Sequence, residues 1–337
     1  MRKITALILA VIMLALPLCA CGKKAPAPPV TRELDESETF HFGNYTYMKY
    51  RDGGVCITGY DGDAPTLVIP AVIDGADVIG IGAGAFSEKQ TLTEITLPAA
   101  LEIIDDYAFI NSLSLSKISI GSKVWSIGTS AFVGTPWLDA QTDEFVVVGD
   151  SVLLKYQGSG GAVTVPDGIR HTSDAFVMNA DIVSVSLPDS LMTIGTSAFS
   201  FCEELRLVKF GGGLISIGNG AFDGCEKLAA LNLPASLVSI GSYAFRDCFY
   251  ISDIDFGMSL VSIGEYAFSG DLRIKSITLP ATVKNIDQHA FRDCYSLSLV
   301  FYRGTAEQFE AMECSSSNYL MTEAERYFNY TGGGNAS

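Results

Sequence analysis

The stretch LVSIGSYAFRDC, residues 237–248, is repeated with small changes along this chain. Its Ala-Phe dipeptide recurs, and the phenylalanine falls at positions 86, 109, 132, 176, 199, 222, 245, 268 and 291. Successive spacings are 23 residues, except for one spacing of 44 between positions 132 and 176. A fixed period of about 20–29 leucine-rich residues is typical of a solenoid, because single units cannot bury their apolar faces and do so by stacking.

Each repeat follows the pattern L-x-x-I-x-L-P-x-x-L-x-x-I-G-x-x-A-F-x-x-C, as in residues 228–248. The alternation at the end of L-x-x-I-x-L predicts a short strand with one outward residue between two inward ones. A second extended piece leads to Ile-Gly, where we expect the glycine to adopt a positive φ at a corner. We expect the alanine to lie where backbones crowd and the phenylalanine to fill the interior.

Composition excludes one class of partner. The 337 residues include 38 acidic and 22 basic side chains, which leaves a formal charge of −16. Such a surface repels a phosphate backbone, so we expect no nucleic-acid partner. Because 48% of the residues are hydrophobic and only 18% are charged, the chain has ample material for a core.

The first 21 residues, MRKITALILAVIMLALPLCAC, are typical of an export signal. Arg2 and Lys3 precede an apolar run that is too short to span a bilayer comfortably. The end of this segment resembles the lipobox of bacterial lipoproteins, which implies a diacylglyceryl group on Cys21. Two acyl chains would anchor the exported protein stably to the outer face of a bacterial membrane. The alternative is an ordinary cleaved signal peptide with two incidental cysteines.

Residues 22–39 are rich in proline and charge and predict a flexible linker. In residues 40–66, aromatic and β-branched residues alternate around Asp52-Gly53-Gly54, which predicts an N-terminal β-hairpin cap. Residues 67–304 form the predicted leucine-rich repeat solenoid. The 44-residue spacing predicts a hairpin insertion at about 136–161, with Trp137 beneath it.

The last segment, residues 305–337, predicts a C-terminal cap and tail. Thr305 followed by Gln308 is a capping-box start for a short helix over the open end of the solenoid. The predicted fold is therefore a mainly β repeat solenoid. Its 23-residue leucine-rich repeats form a curved right-handed array of short strands and turns, with a β-hairpin cap and a helical cap.

The pattern LP-x-x-L-x-x-IG-x-x-AF-x-x-C resembles the BspA-like, or Treponema pallidum type, leucine-rich repeat family of bacterial surface proteins. The resemblance covers about 235 residues, and the segments YRGTAEQFEAM and LMTEAERYFNY resemble the terminal cap common in such proteins. It implies adhesion to proteins of a host or a neighbouring cell.

The residues do not suggest an enzyme. The three histidines lie in different units of the chain, and none accompanies a serine or cysteine in a recognisable catalytic motif. Four cysteines share the position three residues after the phenylalanine, so they should stack in one row. A row of sulfur atoms cannot surround a metal ion tetrahedrally. We therefore expect no catalytic residue, metal or cofactor, and we interpret these cysteines as small buried thiols.

Two rows of residues are candidate binding surfaces. The outward strand residues predict a polar ladder of Thr96, Ser119, Thr164, Ser186, Lys209, Asn232, Asp255 and Thr278. The position before Ala-Phe carries Tyr107 and then, in three consecutive repeats, Tyr243, Tyr266 and His289. If exposed, these side chains would form an aromatic stripe suited to sugar rings or to apolar side chains of a partner. If half-buried, they would only pack the corner.

The sequence thus predicts a non-catalytic, lipid-anchored surface protein that binds or adheres to an extracellular protein. One alternative is a surface protein that binds polysaccharide. The other is a structural scaffold lipoprotein of the cell envelope.

Overall fold

The structure is a computed structural model that describes residues 32–332. Residues 1–31, which contain Cys21, the predicted export signal and part of the predicted linker, lie outside the described residues, as do residues 333–337. In the first part of the chain the elements are β1 (Leu34–Phe42), β2 (Tyr45–Tyr50), β3 (Val55–Tyr60), β4 (Thr66–Val68), β5 (Val72–Ile73), β6 (Ala76–Ile81), β7 (Glu94–Thr96), β8 (Ile103–Ile104), β9 (Lys117–Ser119), β10 (Ser126–Ile127), α1 (Pro136–Asp139), β11 (Phe145–Val148) and β12 (Val152–Tyr156).

The remaining elements repeat the same short strands. They are β13 (Gly161–Thr164), β14 (His171–Thr172), β15 (Ile182–Ser186), β16 (Thr193–Ile194), β17 (Leu207–Lys209), β18 (Ser216–Ile217), β19 (Ser239–Ile240), β20 (Asp253–Asp255), β21 (Ser262–Ile263), β22 (Ser276–Leu279), β23 (Asn285–Ile286), β24 (Leu299–Tyr302), α2 (Ala306–Glu310), β25 (Glu313–Cys314), α3 (Tyr319–Glu323) and β26 (Glu325–Tyr327).

The described chain divides into two units. The first unit comprises residues 32–158 and Ile169–Ala175, and the second comprises Ser159–Gly168 and residues 176–332. Both are built from short strands joined by turns, and each is a mainly β stack of repeats, as the repeat predicted.

In the first unit, antiparallel pairing gives way to parallel pairing. Strands β1, β2 and β3 pair antiparallel, and β3 then pairs parallel with β6, which is followed by β8 and β10. A second parallel sheet has the order β4-β7-β9. Strands β11 and β12 form an antiparallel hairpin, and β12 pairs parallel with β14. The hairpin predicted around residues 52–54 and the one predicted in the insertion are therefore both present.

Strand β1 begins inside the segment that composition assigned to a linker. Its backbone pairs Leu34 with Tyr50 and Asp35 with Lys49, and the register shifts before Phe40. The pairing comes from β2, and the composition of residues 34–39 does not reveal that partner. The linker prediction is therefore wrong for residues 34–39.

In the second unit the period of 23 residues is the strand register. Strand β18 pairs with β19, and β19 with β21, so that Ser216, Ser239 and Ser262 lie side by side. The longer strands, of three to five residues, form two parallel sheets, with the orders β13-β15-β17 and β20-β22-β24-β26. Each repeat thus contributes one turn.

The phenylalanine of each Ala-Phe dipeptide is buried and stacks on its neighbour within each unit. Ring centroids in the first unit are 5.4 Å apart for Phe86–Phe109 and 5.3 Å for Phe109–Phe132. In the second unit they are 4.5 Å for Phe176–Phe199, 5.0 Å for Phe199–Phe222, 5.1 Å for Phe222–Phe245, 5.2 Å for Phe245–Phe268 and 5.5 Å for Phe268–Phe291. This stack confirms that the phenylalanine fills the interior.

The Ile-Gly glycines do not adopt the positive φ that we expected, and that prediction is wrong. Their role is to allow the backbone of the preceding turn to approach closely. A Cβ added to Gly241 would lie 2.7 Å from both the Gly218 carbonyl carbon and the Asn219 nitrogen. The same addition at Gly264 would lie 2.5 Å from the Ser242 nitrogen. Stacking therefore selects glycine here because a side chain would have no room.

The C-terminal segment contains two five-residue helices, α2 and α3. The predicted capping box at the start of α2 is present. Thr305 Oγ1 accepts a hydrogen bond from the Gln308 N–H at 3.3 Å, and Gln308 Oε1 accepts one from the Thr305 N–H at 2.9 Å. Within residues 32–332, no helix is long and apolar enough to cross a membrane.

Candidate functional site

The corner around each Ala-Phe dipeptide contains two left-handed backbone positions. The residue two before the phenylalanine has a φ of 54° to 64° at Gly84, Tyr107, Ser130, Ser197, Gly220, Tyr243, Tyr266 and His289. The residue two after it has a φ of 55° to 85° at Glu88, Asn111, Gly134, Met178, Phe201, Gly224, Asp247, Gly270 and Asp293. A residue other than glycine costs about 1–2 kcal/mol in this conformation.

A ladder of backbone hydrogen bonds offsets this cost. The Tyr243 N–H donates to the Glu265 carbonyl at 2.8 Å, and the Tyr266 N–H donates to the Gln288 carbonyl at 3.1 Å. The Phe245 N–H donates to the Ala267 carbonyl at 2.8 Å and so joins the same two turns as the Tyr243 bond. Because consecutive turns are joined at this position, side chains two residues before the phenylalanine lie in one row.

The aromatic side chains of this row stack on one another in the second unit. The ring centroids of Tyr243 and Tyr266 are 5.1 Å apart with an interplanar angle of 7°, and those of Tyr266 and His289 are 4.9 Å apart at 32°. All three side chains are half-buried. The rings therefore pack the corner, which is the half-buried alternative, and both faces of Tyr266 are covered by neighbours. Part of each of the three residues remains exposed to solvent.

Two arginines lie against the stack. The Arg246 guanidinium carbon is 4.9 Å from the Tyr243 ring centroid, and that of Arg292 is 6.0 Å from the Tyr266 centroid. Arg246 also donates two hydrogen bonds to the Asp223 carboxylate, at 2.8 and 2.6 Å, and these bonds raise the pKa of Arg246. We call Tyr243, Tyr266, His289, Arg246 and Arg292 the corner surface.

Sequence reasoning missed both arginines of the corner surface. A signal was present, because Arg246 and Arg292 occupy the same position in the repeat, directly after the phenylalanine, two periods apart. The distances that bring them onto the rings depend on side-chain conformation, which the repeat spacing does not specify.

Tyr107 belongs to the first unit and is not part of this stack. The residues at the same position in the adjacent turns are Gly84 and Ser130, so its ring has no aromatic neighbour in the row. Its side chain is 48% exposed. The structure thus brings together three of the four residues predicted for the stripe.

The predicted polar ladder on the strands is also present. Thr96 pairs with Ser119 in the first unit. In the second unit Thr164 pairs with Ser186, Ser186 with Lys209, Asn232 with Asp255, and Asp255 with Thr278. These side chains are exposed or half-buried, as an outward row requires.

The ladder ends in an aromatic group that sequence reasoning missed. Phe301 pairs with Thr278 and follows it by 23 residues, so the period alone could have found it. Its ring centroid lies 5.3 Å from that of Tyr327 and 4.6 Å from that of Tyr330. Nearby, Arg303 donates two hydrogen bonds to Asp255, at 2.8 and 3.0 Å.

The cysteine row is structural. The thiols are free and buried, and they donate to the phenylalanine carbonyl of the preceding turn: Cys202 to Phe176 at 3.1 Å, Cys225 to Phe199 at 3.1 Å, Cys248 to Phe222 at 3.3 Å and Cys294 to Phe268 at 3.1 Å. Burial raises the pKa of Cys202 to about 11 and that of Cys248 well above its ordinary value. Thiols of this kind are unreactive.

One repeat places Asp271 in this row. Its Oδ1 accepts a hydrogen bond from the Cys248 N–H at 2.7 Å, whereas its buried Oδ2 has no hydrogen-bond partner among the described residues. Burial raises the pKa of Asp271 well above its ordinary value. In the part of the chain that the structure describes, no group of three or more His, Cys, Asp or Glu side chains could hold a metal ion.

Comparison with known proteins identifies the repeat. Residues 70–141 and 171–298, more than half of the chain, match the family described as the BspA type leucine rich repeat region, with six copies. A search of curated proteins found no significant match.

The chain is also similar to solved leucine-rich repeat structures. A leucine-rich repeat protein from Bacteroides ovatus is 24% identical, over 86% of this chain and 78% of that one, with a TM-score of 0.41. The leucine-rich repeat protein of T. pallidum is 22% identical, over 78% and 81%, with a TM-score of 0.33. A leucine-rich cell surface protein from Faecalibacterium prausnitzii is 22% identical, over 84% and 99%, with a TM-score of 0.32. On the strength of the repeat match, this chain belongs to the BspA-type leucine-rich repeat family.

Proposed function

We propose that this chain is a non-catalytic, lipid-anchored protein of the bacterial cell surface that binds an extracellular protein through the corner surface. The observation that carries the proposal is the stack of Tyr243, Tyr266 and His289 with two arginines against it. Tyrosine and arginine are enriched among the residues that dominate protein–protein binding energy. The repeat scaffold supports this role because it holds such side chains in register at low flexibility.

The geometry of the stack favours a protein over a sugar at this surface. A pyranose ring binds best against an open aromatic face, and the faces of Tyr266 are covered by its two neighbours. The exposed parts of these residues and the Arg246 and Arg292 side chains, which are 38% and 52% exposed, can instead contact side chains of a protein and donate hydrogen bonds to it.

A binding screen against extracellular-matrix proteins tests the proposal. Surface plasmon resonance would compare the full chain with a Tyr243→Ser, Tyr266→Ser double variant. Serine is the residue that the chain itself places at the same left-handed position in two other repeats, Ser130 and Ser197. We expect the double variant to bind the partner about 5- to 150-fold more weakly, since two lost aromatic contacts of about 0.5–1.5 kcal/mol each sum to about 1–3 kcal/mol.

The matched control is Tyr107→Ser, the same change at the same backbone position in the first unit. It should leave the affinity unchanged. Equal losses for both variants would show that the stack is not the binding surface. No binding to any matrix protein would argue against an exogenous protein ligand.

The anchor is tested separately, because Cys21 lies outside the described residues. We propose that Cys21 carries a diacylglyceryl group that holds the protein on the outer face of the membrane. Metabolic labelling with a clickable fatty acid should label the wild type and the Cys19→Ser variant equally. The Cys21→Ser variant should lose the label and leave the membrane fraction. Retained label in that variant would contradict the proposal.

A further inference from the structure

The first unit contains a cleft where the strand ladder is interrupted. Leu138 follows Phe132 by six residues and is buried, just as Leu115 follows Phe109. The register then predicts a strand at residues 140–142, but α1 ends at Asp139 just before them and no strand is present there. The Trp137 N–H donates to the Leu115 carbonyl at 2.9 Å, which fixes α1 beside β9.

The cleft has a volume of about 560 Å³ and lies on the outer side of β7 and β9. This volume is within the range of about 300–1,000 Å³ that is typical of small-molecule sites. Thr96 and Ser119 supply hydroxyls to the lining of the cleft, and Pro98 and Gly121 also line it without adding a polar side chain. Trp137 also lines the cleft; it is half-buried against the core, and its ring centroid lies 4.9 Å from that of Phe132.

The charges in the cleft are balanced. Glu94 and Lys117 both line it, and the Lys117 Nζ lies 3.4 Å from Glu94 Oε2. The carboxylate offers acceptors and the ammonium group offers the donors that are not already bonded to Glu94, without favouring a net charge on the ligand. The overall charge of −16 further disfavours a polyanion.

We propose that this cleft binds a neutral pyranose unit of a polysaccharide. The sugar ring would lie against the Trp137 indole, and its hydroxyls would hydrogen-bond with Thr96, Ser119 and the Glu94–Lys117 pair. An aromatic ring with adjacent polar side chains and no net charge fits a neutral sugar, which has an apolar ring face and a polar edge. This site goes beyond the proposed protein-binding function and uses none of the corner-surface residues.

The chain provides a direct reporter, since it contains only two tryptophans, Trp125 and Trp137. Trp125 contacts His171, with ring centroids 6.0 Å apart, and does not line the cleft. In the full chain carrying Trp125→Phe, the fluorescence reports on Trp137 alone. We expect cellotriose, maltotriose or mannotriose to shift this emission in a saturable way, and trigalacturonate to have no effect.

Affinity is measured independently by isothermal titration calorimetry. The Trp137→Ala variant should bind the active trisaccharide at least about tenfold more weakly, and Trp125→Phe should bind it normally. Ser119→Arg provides a second test in case Trp137→Ala perturbs folding. Ser119 is exposed and outward, so the arginine would fill the cleft without disturbing the core.

Several results would overturn the proposal. One is the absence of any response to the three neutral sugars at millimolar concentration. Another is sugar binding that survives both Trp137→Ala and Ser119→Arg, which would place the site elsewhere. A response to an extended peptide of alternating valine and threonine, without a response to sugars, would assign the cleft to protein docking. The Tyr243→Ser, Tyr266→Ser variant should bind sugar normally, so failure of the corner surface and failure of the cleft are distinguishable.

Discussion

The corner surface of the second unit and the cleft of the first unit derive from the same repeat, and they differ in whether the next turn is complete. A complete turn follows Tyr243 and another follows Tyr266, so the rings cover each other at about 5 Å. After Ser119 the next strand is missing, and Trp137 lines an open space. Consecutive complete turns therefore let the aromatic rings of the stack cover one another, whereas at the interruption Trp137 lines a cleft.

The largest expected effect comes from a variant that tests whether the stability of the second unit depends on its stack of buried phenylalanines. Phe222 is fully buried between Phe199 and Phe245, so Phe222→Ala should lower the free energy of unfolding by about 3–5 kcal/mol. Urea unfolding measures the change. The matched control is Phe201→Ala, because Phe201 is 44% exposed and should cost far less. Equal losses would contradict the stacked core.

A second variant probes the one carboxyl in the thiol row. Burial raises the folded-state pKa of Asp271 above its unfolded value of 3.8. The stability linked to its protonated form is fully present below pH 3.8 and is lost as the pH rises towards the folded-state pKa. Asp271→Asn removes this dependence.

The free energy of unfolding of Asp271→Asn, relative to that of the wild type, should therefore rise by about 1.4 kcal/mol for each pH unit above the unfolded-state pKa of Asp271. The rise should stop when the folded-state pKa is reached. Urea unfolding between pH 4 and pH 7 measures the difference. If the free energies of unfolding of the two proteins depend on pH in the same way, the folded-state pKa of Asp271 is not raised.

The third prediction concerns the close approach of successive turns. Gly241→Ala should destabilise the protein by about 1–3 kcal/mol, because its Cβ would overlap the backbone of Gly218 and Asn219. Gly212→Ala is the control, since its nearest neighbour would be Asp189 Oδ1 at 3.6 Å. Thermal unfolding of both variants gives the comparison. If Gly241→Ala unfolds at the same temperature as the wild type, close approach of the turns does not explain the glycine at this position.

The last comparison is between a stacked ring and a lone ring. Tyr266→Gly and Tyr107→Gly both relieve the same left-handed backbone position, but only the first removes contacts with Tyr243 and His289. Tyr266→Gly should therefore be less stable than Tyr107→Gly by about 0.5–1.5 kcal/mol per lost ring contact. Equal stabilities in urea would mean that the stack adds nothing.

Much of the fold was predictable because one repeat corresponds to one turn. The spacing of 23 residues correctly placed the phenylalanine stack, the thiol row and the polar ladder, including the pairing of Thr96 with Ser119. It also indicated where regularity breaks, between Phe132 and Phe176. Strand β1 was missed because its pairing depends on β2, a partner that is not encoded in the composition of residues 34–39.

The candidate sites were only partly predictable. The row of Tyr243, Tyr266 and His289 follows from the period, but the positions of Arg246 and Arg292 over the rings depend on side-chain conformation. The cleft at Trp137 requires knowing that residues 140–142 form no strand.

By itself, the sequence determined the family, the period and the membership of each row, because a chain that repeats every 23 residues must place equivalent residues side by side when it stacks. Only the tertiary structure decided which corner residues adopt a left-handed conformation. It also decided that the glycine of Ile-Gly allows the backbone of the preceding turn to approach closely. It also decided that the Tyr266 faces are covered while Trp137 lines a cleft. These properties depend on backbone dihedral angles and on the presence or absence of the next turn, neither of which is visible within a single repeat.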